Sequence, residues 1–132
     1  MKALKDFTVI RQKKGPIQVI RLVGPLDESR YPRLQSVLQG LHQEGMVKIL
    51  VDCDSLDHMS ATAIQSLANF VKLAREAKGE VLLVRVPDHI KKIIEVLGYK
   101  TEFKMCEQEK EAIKILAPEG TGEDETERLR LK

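Results

Sequence analysis

Val47-Lys48-Ile49-Leu50-Val51, running on into Asp52-Cys53-Asp54-Ser55-Leu56-Asp57-His58-Met59-Ser60-Ala61-Thr62-Ala63, is the stretch that decides how this chain folds. It opens as a short apolar run that breaks into acids, the profile of a strand buried on both faces and ending at a loop. It closes on a helix: from Ala61 to Lys78, the residues Ile64, Leu67, Ala68, Val71 and Ala74 make one apolar stripe, and Gly79 is the stop. A buried strand that passes through a polar loop into an amphipathic helix is the repeating step of an α/β protein.

Working outward, the same step recurs. Downstream, Glu80–Val84 is a second buried run. A helix then follows with Asp88 as expected N-cap, Ile90, Ile93, Ile94 and Leu97 on one face, and Gly98 at its end. Thr101, Phe103 and Met105 alternate as an edge strand, and Glu109–Leu116 can form a last helix before Pro118. Upstream, Phe7–Arg11 and Ile17–Val23 flank Lys13-Lys14-Gly15-Pro16, which reads as a hairpin. Leu34, Val37, Leu38 and Leu41 then recur at helical spacing, with Ser29 as expected N-cap, Pro32 in the first turn and Gly45 as the stop. The order β-β-α-β-α-β-α-β-α predicts an α/β fold: a mixed β-sheet of four to five strands, antiparallel at one edge, with about four helices packed on it.

The chain has 132 residues, enough for about one domain. We expect that domain over 1–117 and a disordered tail over 118–132, where Gly, Thr and charge follow no period. No apolar stretch approaches the ~20 residues of a membrane span, and Met1–Asp6 lacks the apolar core of a signal peptide, so a cytoplasmic location is expected. The net charge is +2; Pro118–Lys132 carries five acids and three bases, leaving +4 on Met1–Ala117. Neither value is the footprint of a nucleic-acid binder, and 4% aromatics with no Trp leave little material for stacking bases. Cys53 and Cys106 fit no metal or redox spacing and read as small apolar residues in a reducing compartment.

Catalytic patterns are sparse. There is no phosphate-binding GxxxxGK[ST] loop, and Gly120-Thr121-Gly122 follows no strand. His42, His58 and His89 show no paired spacing and read as solvated; no metal site and no cofactor are expected. Asp57, His58 and Ser60 are sequence neighbours and cannot line up as a hydrolytic triad, whose members converge from distant segments. Asp52-x-Asp54-Ser55 after an apolar strand resembles the nucleophile and acid of Mg²⁺-dependent aspartyl phosphatases, but the later strands end in a poor metal set. What remains is a polar segment leading to a helix N-terminus, where amide groups and loops converge in α/β folds. Ser60 there is an ordinary N-cap, and Thr62 with Gln65 makes a capping-box pattern. The same geometry suits a phosphate, which makes Thr62 and Ser60 phosphorylation candidates. Phe70 falls off the main stripe, near Ser66 and Ala63, and is read as a partner-facing anchor or as a second packing face.

An ordered set of short motifs now joins these readings: Gly24-x-Leu26-Asp27, Val51-Asp52, Leu56-x-x-Met59, Gly79-Glu80-Val81, and the helix Ile90–Leu97 followed by Gly98-Tyr99. Over Phe7–Leu116 the chain resembles a STAS domain, the fold of bacterial anti-sigma factor antagonists and of sulfate-transporter cytoplasmic modules. In those antagonists the second helix typically begins Asp-Ser-[Ser/Thr]-Gly-Leu, and its first Ser is phosphorylated by a kinase that is also the anti-sigma factor. Here Met59 matches the residue before the motif and Thr62 matches its second hydroxyl. Ser60 stands in place of the Asp, Ala61 in place of the phosphoacceptor, Ala63 in place of the Gly and Ile64 in place of the Leu. The resemblance implies a non-enzymatic protein without a cofactor that binds a protein partner, an anti-sigma factor kinase among the candidates. Binding would use Asp27, Asp57, His58, Met59, Ser60, Ala61, Thr62, Ser66 and Phe70. It also fits a scaffold of stress-signalling complexes, a small subunit of a lipid-transport machine or a ligand-sensing module.

Overall fold

The computed structural model describes residues 6–121. Nine elements follow in the order β1 (Thr8–Lys14), β2 (Ile17–Leu26), α1 (Tyr31–Gln43), β3 (Lys48–Met59), α2 (Ala61–Glu76), β4 (Glu80–Val84), α3 (Asp88–Val96), β5 (Lys104–Cys106) and α4 (Glu109–Leu116). The strands lie in sequence order in one sheet; β1 pairs antiparallel with β2, and every later pair is parallel. The hairpin closes through Gly15 and Pro16 between the paired residues Lys14 and Ile17, with Gly15 at φ +58°. Parallel strands that advance steadily across a sheet with crossovers of one hand place every crossover helix on the same face. Accordingly the buried residues of α1, α2 and α3 join one large core with Ile20, Leu22, Ile49, Val51, Val81 and Leu83. The other face holds a smaller core in which Ala112, Leu116 and Ala117 of the α4 region cover Ile17, Val19, Leu50, Leu82 and Val84.

Strand β3 corrects the sequence reading most. The segment expected to be a loop after Val51 continues as strand to Met59, paired with β2 as far as Leu26. Two bulges carry it. Between the pairs Arg21–Asp52 and Val23–Ser55, β2 advances two residues while β3 advances three; between Gly24–Leu56 and Pro25–His58, β2 advances one and β3 two. The buried positions therefore fall at Cys53, Leu56 and Met59, three apart, and the exposed ones at Asp54, Ser55, Asp57 and His58. That spacing hides a strand from any period-two reading.

Smaller corrections have local causes. Helix α1 starts at Tyr31, not after Ser29: the Asp27 carbonyl accepts the Arg30 and Tyr31 amides (3.2 and 2.9 Å), and its carboxylate accepts the Arg30 amide (3.0 Å) and the Ser29 hydroxyl (2.8 Å). Asp88 lies inside α3 as its first residue, while the preceding Pro87 takes the cap position and accepts the Ile90 and Lys91 amides. Thr101 and Phe103 lie outside the short strand β5. His42 is half-buried and packs edge-on against Phe70, with centroids 6.3 Å apart at 78°. The expected tail lies outside the described residues beyond Thr121; before it, the backbone of Thr121 lies so close to Gly15 that a Cβ there would meet its carbonyl oxygen. Among the described residues no helix is long and apolar enough to cross a membrane.

Candidate functional site

Because β2 and β3 are parallel neighbours, their C-terminal ends lie side by side, and the turns that follow them converge. The Ser60 amide donates to the Leu26 carbonyl (2.9 Å), tying the start of α2 to the end of β2. Ser60 is the N-cap of α2, as its type suggested, and its hydroxyl accepts the Ala63 amide at 3.1 Å. The Thr62–Gln65 capping box is not formed. Thr62 instead lies in the first turn and donates its hydroxyl to Glu28 Oε1, 2.8 Å away on the β2–α1 turn. Ala61, the first residue of α2, is exposed beside it.

Charge is arranged around this point in a definite way. Arg30 binds both Asp27 and Asp6, and Arg33 reaches Asp6 Oδ2 (2.9 Å) and the Phe7 carbonyl (3.0 Å). The Arg30 and Arg33 guanidinium groups hold the Asp6 carboxyl down at about 2. The Ser29 hydroxyl leads the interactions that keep Asp27 below the ordinary carboxylate range, with the Arg30 amide and guanidinium adding to it against the opposing effect of burial. Gly24 makes the approach possible: at φ +93° a Cβ would sit 2.5 Å from the Asp6 carbonyl oxygen. With its cations committed to Asp6 and Asp27, the β2–α1 turn presents Glu28 toward the helix start. On the other side, β3 outruns β4, whose pairing with it ends at Asp52. There His89 Nε2 lies 2.9 Å from the Asp57 carbonyl and braces the start of α3 against the second bulge.

The structure therefore brings together Asp27, Asp57, His58, Ser60, Ala61 and Thr62. It buries two other residues named for this surface. Met59 is 2% exposed and Phe70 7%, both in the large core, because Met59 occupies the inward slot of the bulged strand and Phe70 packs between α1 and α2. Neither projects as an anchor; Ser66 is half-buried nearby. Two participants escaped the sequence reading, Glu28 and His89, whose partners lie 34 and 32 residues away along the chain. The adjacency of the β2 and β3 ends was the available signal for Glu28.

Asp52 belongs elsewhere. Its carboxylate lies on the α4 face, 7% exposed, with Arg21 Nη1 and Arg85 Nη2 each 2.7 Å from Oδ2. Arg21 also reaches Glu109 (3.0 Å), which Lys14 pairs from β1 (3.1 Å). Burial pushes the Asp52 carboxyl up, but the Asp54 amide and the Arg85 and Arg21 guanidinium groups outweigh it and hold it below the usual range. Ion pairing accounts for this carboxylate. Among the described residues no group of three or more His, Cys, Asp or Glu is placed to hold a metal ion.

A hairpin leading into a parallel sheet, with three crossover helices on one face and a fourth on the other, is the STAS or SpoIIAA-like α/β fold. The structure of the anti-sigma factor antagonist SpoIIAA in its unphosphorylated form superimposes with a TM-score of 0.70 at 18% identity, covering 86% of this chain and 97% of that one. An anti-sigma factor antagonist from Mycobacterium paratuberculosis gives 0.77 at 14% identity, with 88% and 98% covered. The chain belongs to the STAS domain family, whose profile matches residues 8–112. It is anti-sigma factor antagonist-like in sequence as well: the anti-sigma-B factor antagonist of Staphylococcus aureus (strain NCTC 8325 / PS 47) is 26% identical over 81 residues, 61% of this chain and 75% of that protein.

Proposed function

We propose that this chain is a cytoplasmic, non-enzymatic regulatory module that binds a protein partner of the anti-sigma factor type through the start of α2 and the turns beside it. The relatives' names supply the class of partner; the observation that carries the finer reading is Ala61. It occupies the exposed first position of α2, where the family resemblance puts the phosphoacceptor, and it has no hydroxyl. The module is therefore competent to bind without being dephosphorylated first. Of the two hydroxyls left in this turn, Ser60 is engaged as the helix cap, while Thr62 is exposed and is the remaining candidate for modification. Asp27, Asp57 and His58 complete the contact surface.

The test uses anti-sigma factors from the native cell, each purified and titrated against the protein by calorimetry. Binding by the unmodified chain is expected, with a loss of tenfold or more on Ala61→Arg. Incubation with the kinase and ATP should leave the wild type unmodified at position 61 and phosphorylate Ala61→Ser. Binding that is indifferent to Ala61→Arg would remove the α2 start from the interface.

A further inference from the structure

A groove of about 160 Å³ runs between α1 and α2. Tyr31, Leu38, Phe70 and Leu73 supply its apolar surface, and amides such as Gln35 and Asn69 stand on its rim. None of its eight lining residues carries a charge, in a chain that is 32% charged. Leu73 is left 48% exposed there, while Tyr31 and Phe70 are 6% and 7% exposed. Burial pushes the Tyr31 phenol up to about 12, so it too stays neutral. Lack of charge and aromatic content are the marks of an interface core rather than of solvated surface. The volume is close to the ~150 Å³ that accepts a benzene-sized group.

The groove continues the candidate surface. Ser66, on its lining, lies one turn beyond Thr62 on α2, and Tyr31 directly follows Arg30, which Asp27 holds. Helices α1 and α2 both leave the same end of the parallel sheet and run in the same direction, so the groove begins where that surface ends. We propose that the partner bound at the start of α2 inserts one uncharged anchor side chain, branched aliphatic or aromatic, between α1 and α2. This rests on the reading of the α2 start as the binding surface. A charged side chain would lose its hydration with no counter-charge among the lining residues. Phe70 is then the wall that receives an anchor rather than the anchor itself.

Asn69 and Ala61 are both exposed, so each can be changed without touching the core. Affinity for the purified anti-sigma factor is measured by calorimetry, and melting temperature by calorimetric scan, for Asn69→Arg, Asn69→Gln and Ala61→Arg. A charge at the rim should weaken binding tenfold or more with the melting temperature unchanged, while Asn69→Gln binds like wild type. If Ala61→Arg weakens binding and Asn69→Arg does not, the groove stays empty in the complex and the proposal falls while the surface stands. If neither variant matters, both readings fall. A wild-type dimer in sedimentation that Asn69→Arg dissociates would make the occupant a second copy of this chain, and would also overturn the proposal.

Discussion

The two halves of β3 follow different rules. Ile49–Asp52 is paired on both sides, in regular register with β2 and β4, and Ile49, Leu50 and Val51 are fully buried. Residues 53–59 pair only with β2, through two bulges, and expose four of their seven side chains. The first half is core. The second half is where the strand outruns its neighbour, so its free edge and its out-of-period residues become surface and deliver Asp57, His58 and the cap Ser60 to the end of the sheet. In this fold the candidate site is built from what regular pairing leaves over.

The sharpest way to break the comparison is to put the same charge into each half. Ile49→Lys buries an ammonium with no partner and should unfold the domain, a cost of several kcal/mol. Ser55→Lys, on an exposed position of the bulged half, should change stability by no more than about 0.5 kcal/mol. Denaturant titrations of both proteins decide it, and a cooperatively folded Ile49→Lys chain would contradict the placement of the buried half.

Within the bulged half the contrast narrows to adjacent residues. Met59→Ala removes a side chain that is 2% exposed and should cost about 2–3 kcal/mol. His58→Ala next to it should stay within about 0.5 kcal/mol. Equal losses would mean that the inward slots at Cys53, Leu56 and Met59 are not the ones the bulges create.

The fold was legible where a single period holds and obscure where it breaks. Ile49–Val51 and Val81–Val84 are continuous apolar runs, and Ser60 before an amphipathic stripe is a local cap signal that the structure bears out. The remainder of β3 reads as loop because each bulge adds a residue, and an inward residue every third position imitates neither strand nor helix. Glu28 and His89 could not be found from neighbours in sequence, because their contacts are made by the parallel pairing of distant segments. Phe70 takes the second of its two readings, a packing face, and Met59, expected in a binding loop, turns inward because that loop is strand.

Asp52 marks the junction of the halves, and pH tests it. Its carboxyl is held below the ordinary range in the folded chain, so folding favours the ionised form. The sign follows: that contribution is complete above the unfolded carboxylate value of about 3.9 and is lost as pH falls through the lower folded value. Asp52→Asn removes the ion pairs at neutral pH, and because Arg85 is 43% and Arg21 28% exposed, the cost should be only about 1 kcal/mol. The variant should then lose less stability than wild type on acidification below about pH 4. Parallel acid profiles for the two proteins would assign the acid sensitivity to other carboxylates, Glu80 and Asp6 first.

The smallest expected effect separates the two hydroxyls at the start of α2. Ser60 holds a helix amide, so Ser60→Ala should cost about 1 kcal/mol. Thr62 holds only the exposed Glu28 carboxylate, so Thr62→Ala should cost less than about 0.5 kcal/mol and leave partner affinity unchanged. Thr62 can nevertheless act as a switch through charge. A phosphate on its oxygen would remove the proton it shares with Glu28 and set about −1.5 to −2 charges against that carboxylate, with Asp27 on the same turn. The helix dipole favours an anion there, while Glu28 opposes it, so the modification would displace the β2–α1 turn as well as add charge. Thr62→Glu imitates the charge and should weaken anti-sigma factor binding where Thr62→Ala does not. Glu28→Gln in the Thr62→Glu background should restore part of the affinity by removing the repulsion. Equal binding by all three variants, with no phosphate on Thr62 or Ser60 by mass spectrometry of the protein from its native cell, would leave an interaction module with no switch at this helix.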